Sequence, residues 1–498
     1  MQRRAFLAST LALGGCGALP RLPGFEDLSR YSSDIDPATH RPIITIPGTL
    51  GSRLRVGKDG PFIWGGPNQL SIDPEEAESA RMLALPFGDG TQPFRTLSDG
   101  IGTDGVLRRA NARILGATVE ETIYDGLITS LNAGGYEFST SVEEERARSG
   151  NNPGSLEFPY DWRRDIVEAA RDLDRFVERK AKQVERVRKE RYGSATPAKR
   201  IRFDFVAHSM GCLVLRYWLM YGAQDLPVDG SLPKLNYHGS RRAACAIFVA
   251  PPNLGSIGAV TSLTQGRQLG PLQPEYPPAL LGTHVSTYQL MPRDRHGRVR
   301  LGTVDGEKLT SLFDAETWAS RRWGLMDPLQ EPMLTQLMPE VQNPGQRKDI
   351  AFAYLDQALR RAKHFHRAMD RPVRAPATDM FLVVGTGLDT PAGVVIDAED
   401  GSLDPLIQEE GDSVVLRASA LSDERQGGND AKGLVRPIKY RTVLLLPGEH
   451  VEITQNSVFA DNLLYWLNDQ PRQRVEAPVT PIIPGALNQI AEELVPGS

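Results

Sequence analysis

The sequence has few cysteines, no long hydrophobic run and no excess of positive charge. Only three cysteines occur in 498 residues, which excludes a disulfide framework. No apolar stretch approaches the roughly 18 residues that a spanning helix requires, which excludes a polytopic membrane protein. Lysine and arginine (57) are outnumbered by aspartate and glutamate (62), so no broad basic field favours a nucleic-acid partner.

Motifs for metal and nucleotide chemistry are missing as well. The sequence contains no Cys-x-x-Cys pair and no His-Glu-x-x-His motif, so no metal site is predicted. Gly385 and Gly387 follow a predicted strand, but Thr390 stands where a dinucleotide fingerprint requires its third glycine. No Gly-x-x-x-x-Gly-Lys-Ser/Thr phosphate loop is present. We therefore expect neither a metal nor a cofactor.

The first 15 residues are predicted to be an export signal rather than part of the fold. Arg3 and Arg4 precede a short apolar run, which resembles a twin-arginine signal. Residues 13–16, Leu-Gly-Gly-Cys, resemble a bacterial lipobox, which predicts lipidation of Cys16. An unlipidated Sec-type signal is the alternative. With residues 16–40 as a polar tether, the sequence predicts an exported protein, lipid-anchored in the bacterial cell envelope and held at the membrane surface by this anchor.

Strands and helices alternate along the predicted domain, residues 41–470. Apolar segments rich in β-branched residues predict strands at 42–47, 201–206, 244–249, 380–384 and 442–446. Helical spacing of apolar residues predicts helices at 161–191 and 212–221. The alternation is typical of an α/β fold with a mostly parallel sheet and helices on both faces. Cap insertions are expected at about 53–115 and 255–370, and residues 471–498 form a Pro-rich tail.

Ser209 is the predicted nucleophile. It lies between a predicted strand and a predicted helix, with the small residues Ala207 and Gly211 two positions before and after it. Small residues there allow the sharp turn that projects a nucleophilic hydroxyl. Such a short match is weak by itself, and a serine that only caps the following helix is the alternative. Cys212 lies in apolar surroundings and is predicted to be a buried thiol rather than a nucleophile.

A serine nucleophile needs a base, and His450 is the predicted one. In this fold the acid and the histidine follow the serine along the chain. His450 lies on a loop directly after the predicted strand 442–446. His364 and His366 occur in a Lys/Arg-rich helical stretch and are expected to be solvated, while His208 is expected to shape the turn rather than act as the base.

Two candidates for the acid remain open on local pattern. Asp412 lies in a turn before His450, and Asp389 lies just past the strand 380–384.

The substrate oxygen that becomes negatively charged when a serine attacks an acyl group also needs two N–H donors. Met210, which follows the nucleophile, supplies one by position, and the other is expected from the loop 49–51 after the first strand.

Several blocks together resemble the lecithin:cholesterol acyltransferase family, which includes lysosomal phospholipase A2. They occur in family order across about residues 40–470: Pro-Gly-Thr-Leu-Gly-Ser-Arg-Leu at 47–54, Pro-Tyr-Asp-Trp-Arg at 159–163, Ala-His-Ser-Met-Gly-Cys at 207–212, Ala250-Pro251 with Gly255-Ser256-Ile257, Gly-Asp-Ser-Val at 411–414, and His450 before an apolar helix. The second and third blocks are fairly specific together. The sequence lacks the cysteine pair that closes the family's N-terminal lid, whose equivalent is placed near residues 62–65.

The resemblance implies an α/β-hydrolase with Ser209 as nucleophile, Asp412 rather than Asp389 as acid and His450 as base. It places the oxyanion donors at Met210 and at Thr49 or Leu50. The implied function is acyl-ester chemistry on lipids through an acyl-enzyme, with the acyl group passing to water or to an alcohol. A lipid-binding envelope lipoprotein that kept the fold and lost activity is the alternative.

Overall fold

A computed structural model describes residues 40–67, 70–114, 117–136, 154–192, 200–268, 274–373, 375, 377–397, 401–424 and 437–469. The predicted export signal, Cys16, the tether up to residue 39 and the tail from residue 470 lie outside these residues. Within the described ranges, no helix combines the length and apolar character needed to cross a membrane.

The strands, in chain order, are β1 (Ile43–Ile46), β2 (Ser52–Val56), β3 (Phe62–Trp64), β4 (Ile101–Val106), β5 (Arg109–Ile114), β6 (Ala117–Thr122), β7 (Ser155–Glu157), β8 (Phe203–His208), β9 (Ala243–Val249), β10 (Arg267–Gln268), β11 (Glu275–Tyr276), β12 (Val299–Leu301), β13 (Asp379–Thr386), β14 (Leu388–Ile396), β15 (Leu403–Gly411) and β16 (Thr442–Pro447). The α-helices are α1 (Ala77–Leu83), α2 (Asp125–Ala133), α3 (Ile166–Tyr192), α4 (Met210–Tyr221), α5 (Ile257–Gln265), α6 (Pro278–Leu281), α7 (Val285–Gln289), α8 (Ala315–Arg321), α9 (Glu331–Leu337), α10 (Pro344–Met369), α11 (Arg417–Leu421) and α12 (Ser457–Leu464).

The central sheet has six strands in the order β16-β13-β9-β8-β1-β7. Every neighbouring pair in it is parallel. Parallel strands bring their carboxyl ends to one edge of a sheet, where ligand sites of open α/β folds form. The predicted fold class, a mostly parallel sheet with helices around it, is confirmed.

Alternate residues of the central strands face two separate hydrophobic cores. On β8, Phe203 and Phe205 belong to one core and Val206 to the other. Helices α3 and α4 cover the first core, and α2 and α12 cover the second. Because successive side chains of a strand point to opposite faces, strands covered on both sides read as continuous apolar runs.

The two segments predicted as insertions pack on each other. The first contains the antiparallel sheet β3-β2-β4 and α1, and the second contains α5 to α10. Tyr354 on α10 makes edge-to-face contacts with Phe87 and Phe94 of the first segment at centroid distances of 5.0 and 5.1 Å. Leu85 N–H donates to Thr283 Oγ1 at 3.0 Å. These contacts join the two segments.

A second three-stranded sheet, in the order β12-β14-β15, extends from the end of β13. Strands β14 and β15 are antiparallel, with Leu388 opposite Gly411. The chain therefore leaves the central sheet at β13, makes a hairpin and returns to the same edge at residue 412.

Candidate active site

Ser209 occupies a strained turn between β8 and α4. Its backbone has φ 52° and ψ −126°, a conformation that costs an L-residue on the order of 1–3 kcal/mol. Its N–H donates to Val249 C=O at 2.9 Å, which ties the turn to β9. A Cβ atom at Gly211 would overlap the Pro47 carbonyl oxygen, so the turn requires glycine there. The Ser209 side chain makes no capping hydrogen bond, so the helix-capping interpretation is not supported.

Ser209, His450 and Asp412 form one continuous hydrogen-bonded chain. Ser209 Oγ–H donates to His450 Nε2 at 2.8 Å, and His450 Nδ1–H donates to Asp412 Oδ2 at 2.8 Å. His450 lies just past β16 and Asp412 just past β15, so both reach the edge at which β8 ends. A base held within hydrogen-bond reach of a hydroxyl, and itself oriented by a carboxylate, is the arrangement that activates a serine.

The structure places Asp412, not Asp389, beside His450. The Asp412 side chain is 1% exposed, and its Oδ1 accepts hydrogen bonds from Val414 N–H at 3.1 Å and Val415 N–H at 2.6 Å. Burial raises the pKa of Asp412, but the neighbouring His450 and these hydrogen bonds outweigh it, so the pKa is lowered overall. Asp389 is exposed at the start of β14.

The loop after β1 forms a tight turn against Ser209. Gly51 N–H donates to Gly48 C=O at 3.1 Å, and Leu50 in this turn has φ 64°. A Cβ at Gly48 would lie 2.7 Å from Ser209 Cβ, which shows how closely the turn approaches the hydroxyl.

Aromatic side chains hold the peptide groups of this turn. Tyr160 Oη–H donates to Pro47 C=O at 3.0 Å, Gly48 N–H donates to Tyr124 Oη at 2.8 Å, and Trp64 Nε1–H donates to Leu50 C=O at 2.8 Å. Among the hydrogen bonds of the described residues, the N–H groups of Thr49, Leu50 and Met210 have no acceptor. These are the groups predicted as oxyanion donors: Met210 follows Ser209 directly, and Thr49 and Leu50 follow Gly48, whose Cβ position lies 2.7 Å from Ser209 Cβ.

The Pro-Tyr-Asp-Trp-Arg block connects this turn to the cap. Trp162 Nε1–H donates to Ser52 C=O at 3.2 Å. The Arg163 side chain is fully buried between Asp161 and Asp99, at 2.7 and 2.6 Å. Its Nη1 also donates to the carbonyl groups of residues 82–84. Through these contacts the block holds the segment after β1 against Asp99 and residues 82–84.

Three other candidates from the sequence, Cys212, His364 and His366, make no hydrogen bond to the Ser209 side chain among the described contacts. Cys212 is buried, as predicted, and burial raises the pKa of its thiol. The expectation that His366 is solvated is wrong: it is 3% exposed and its Nε2 donates to Gln289 C=O at 2.8 Å. His366 is buried because its face of α10 points into the protein interior, where Phe313 contacts its ring edge-on. His364 is half-buried, and its Nε2 donates to Ser231 C=O.

Sequence reasoning missed Tyr124, which lies in a segment without any motif. Its hydroxyl contacts both Gly48 and His208. No local pattern in the sequence predicts these two contacts, because the partners of Tyr124 lie 76 and 84 residues away along the chain. In the described part of the chain, no group of three or more His, Cys, Asp or Glu side chains could hold a metal ion.

Residues 125–304 match the family described as Lecithin:cholesterol acyltransferase. The predicted family resemblance is confirmed over this segment. The segment similar to lecithin:cholesterol acyltransferase carries Ser209 and Met210, whereas Asp412, His450, Thr49 and Leu50 lie outside it.

One of the similar solved structures supports the fold. A chain from "The crystal structure of Tle4-Tli4 complex" is similar over 87% of this chain and 99% of that chain, with 14% identity and a TM-score of 0.52. Lipase 1 from Pelosinus fermentans aligns over 86% of this chain and 98% of its own, with 12% identity and a TM-score of 0.32. At such sequence identities the similarity shows the fold alone, and a TM-score of 0.32 is too low to support an inference. Comparison with curated protein sequences gave no significant match.

Proposed function

We propose that the protein transfers acyl groups from lipid esters through a covalent intermediate on Ser209. The observation that carries this proposal is the unbroken hydrogen-bonded chain from Ser209 Oγ through His450 to Asp412. It lies beside a turn in which the N–H groups of Thr49 and Leu50 have no acceptor among the described hydrogen bonds. The match to lecithin:cholesterol acyltransferase supports lipids as the substrate class.

In the first half-reaction, Ser209 Oγ attacks the carbonyl carbon of the ester while His450 Nε2 takes the hydroxyl proton. The bond between that carbon and the leaving oxygen then breaks, and His450 returns the proton to the leaving alcohol. Asp412 keeps the proton on His450 Nδ1, so that Nε2 is free to accept one.

In the second half-reaction, His450 removes a proton from water or from an alcohol, whose oxygen attacks the acyl carbon. Ser209 leaves with the proton returned to its Oγ. Water gives a free fatty acid, and an alcohol gives a new ester. The same three side chains serve both outcomes, and the choice depends on how well the pocket excludes water and binds the acceptor.

The oxyanion that forms in each half-reaction is placed to receive hydrogen bonds from Met210 N–H and from the turn at Thr49 and Leu50. Each such donor is typically worth on the order of 3 kcal/mol in the transition state. The aromatic hydrogen bonds to residues 47–50 hold these donors in place before substrate binds. Val414, 44% exposed beside the acid, offers apolar surface to a lipid chain.

A fluorophosphonate probe tests the covalent step. We expect stoichiometric labelling of the wild type, no labelling of Ser209→Ala, and unchanged labelling of Cys212→Ala, which removes the buried thiol three residues after Ser209. A folded wild type that stays unlabelled would instead support a lipid-binding protein without activity.

Product analysis separates the two acceptors. The purified enzyme is incubated with a phospholipid, with and without a sterol or a simple alcohol, and the products are identified by mass spectrometry. A new ester that requires Ser209 supports acyl transfer, whereas free fatty acid in every mixture restricts the function to hydrolysis.

We also propose that the protein is exported and anchored by lipid at Cys16, a residue outside the described part of the structure. Labelling of cells with radioactive palmitate should mark the wild type and Cys212→Ala, but not Cys16→Ser. Unlabelled wild type recovered free of the membrane fraction would favour the unlipidated Sec-type signal.

A further inference from the structure

We infer that Tyr124 and His208 are positioning residues that couple the oxyanion turn to the loop carrying the catalytic histidine. This inference rests on the proposed function and deepens it. The observation behind it is a chain of hydrogen bonds that runs from Gly48 through Tyr124 and His208 to the backbone of His450.

The donor and the acceptor of each hydrogen bond in this chain follow from the His450 carbonyl group at one end. His208 Nε2 lies 3.0 Å from His450 C=O, and a carbonyl oxygen only accepts, so Nε2 carries the proton. The neutral ring then accepts at Nδ1, so Tyr124 Oη–H donates to Nδ1 across 2.8 Å. Tyr124 Oη in turn accepts Gly48 N–H at 2.8 Å.

The protonation states in this chain do not change near neutral pH. Burial, reinforced by the neighbouring His450, lowers the pKa of His208 to about 3. Burial also raises the pKa of the Tyr124 hydroxyl. Both side chains are therefore neutral where a serine nucleophile operates, and the donors and acceptors keep their order.

Packing supports the same coupling. The His208 ring contacts both the His450 ring, at a centroid distance of 4.8 Å, and the Tyr124 ring, at 5.6 Å. Thr454 Oγ1–H, four residues past His450, donates to Val451 C=O at 2.8 Å, and the same oxygen lies 3.4 Å from Ile123 C=O. Residues around Tyr124 thus brace the loop that follows the catalytic histidine as well as the turn at Gly48.

Loss of the Tyr124 hydroxyl would leave Gly48 N–H without its acceptor and His208 Nδ1 without its donor. An unpaired buried N–H is costly, so the turn shifts to find water, and the donors at Thr49 and Leu50 shift with it. These donors act mainly on the transition state, so the loss should appear in kcat rather than in KM. We expect a decrease in kcat of roughly 10- to 100-fold, because small misplacements near the reacting atoms have effects of this size.

The experiment is a double-mutant cycle with Tyr124→Phe and His208→Gln. The glutamine amide can still donate to His450 C=O but offers no ring nitrogen to Tyr124. Each single variant should lose a similar fraction of kcat with little change in KM. The double variant should lose no more than the stronger single one, because both changes break the same chain. Tyr237→Phe, at a tyrosine whose hydroxyl donates to Pro372 C=O away from the site, is the matched control and should retain full kcat.

Labelling separates this inference from the proposed function. Both single variants should still be labelled to completion by the fluorophosphonate probe, only more slowly than the wild type. If the folded variants keep kcat within twofold of the wild type, or if their losses multiply in the double variant, the coupling is overturned while a labelled wild type leaves the serine mechanism intact. An unlabelled wild type would overturn both.

Discussion

Gly385 on β13 has no side chain, and Asp412 fills the space where one would lie. A Cβ atom built at Gly385 would overlap Asp412 Cβ and lie 3.0 Å from Asp412 Oδ2. The central sheet therefore accommodates the Asp412 carboxylate only because this strand residue is glycine.

Gly385→Ala should displace Asp412 and reduce kcat by on the order of 100-fold, since errors of about 1 Å in placement have effects of that size. The measurement is kcat with a soluble ester, alongside the melting temperature. Gly258→Ala is the control, because a Cβ there meets nothing closer than Ser256 Oγ at 3.5 Å. A Gly385→Ala enzyme with normal kcat would show that the site tolerates a displaced carboxylate.

Asp412→Asn should lower kcat by roughly 10⁴-fold, because an amide no longer holds His450 in the tautomer with its proton on Nδ1. The exposed Asp389 provides the matched control, and Asp389→Asn should keep normal kcat. The two variants are compared in steady-state kinetics with the same ester. Comparable losses in both would return Asp389 to consideration as the acid.

Arg163→Lys should lower the free energy of unfolding by about 3–5 kcal/mol, because one ammonium group cannot satisfy two buried carboxylates and three carbonyl groups. Urea denaturation measures the change. Arg175 lies at the surface, with its side chain 62% exposed in an ion pair with Asp172. The control Arg175→Lys should therefore change stability by less than about 0.5 kcal/mol. Equal free energies of unfolding for the two variants would contradict the stabilising role of the buried Arg163 side chain.

Buried neutral histidines should make the fold sensitive to acid. Burial lowers the pKa of His208 to about 3 and of His284 to about 4, from an ordinary 6.5, and it lowers the pKa of His366 strongly as well. As the pH falls below 6.5, the unfolded chain binds protons that the folded chain does not. Stability is therefore present above that pH and is lost as the pH falls towards the folded-state values.

Each such histidine should contribute a slope of about 1.4 kcal/mol per pH unit to the free energy of unfolding. Urea denaturation between about pH 7 and pH 5 measures the total slope. His284→Gln, which keeps a donor for Leu83 C=O, should reduce the slope by the contribution of one histidine. An unchanged slope in this variant would show that His284 takes up its proton in the folded state.

The central sheet could largely be predicted from sequence because four of its strands, β1, β8, β9 and β13, are buried on both faces. Five of its strands (β1, β8, β9, β13 and β16) are apolar segments that stand out locally. The sixth, β7, has only three residues and ends in Glu157, so its place depends on its pairing with β1. Strands β14 and β15 contain Pro391, Gly393 and several acidic residues, and they form through pairing with each other rather than through local preference.

The candidate site also has features that local sequence predicts and features that depend on distant contacts. The turn at Ser209 is a local feature, and its small neighbours could be recognised in sequence. Both aspartates follow strands, and only the return of the β14-β15 hairpin brings residue 412, rather than residue 389, to His450. His366 shows the opposite failure, since the charged residues around it concealed a buried face of α10.

Ser209 and His450 lie 241 residues apart along the chain, and His450 follows β16, a strand that pairs with β13 alone among the described strands. A growing polypeptide that has been synthesised only as far as residue 440 contains the hydroxyl and the carboxylate but not the imidazole that joins them. Under the proposed mechanism, esterolysis would therefore require that the edge strand β16 has been added to the central sheet.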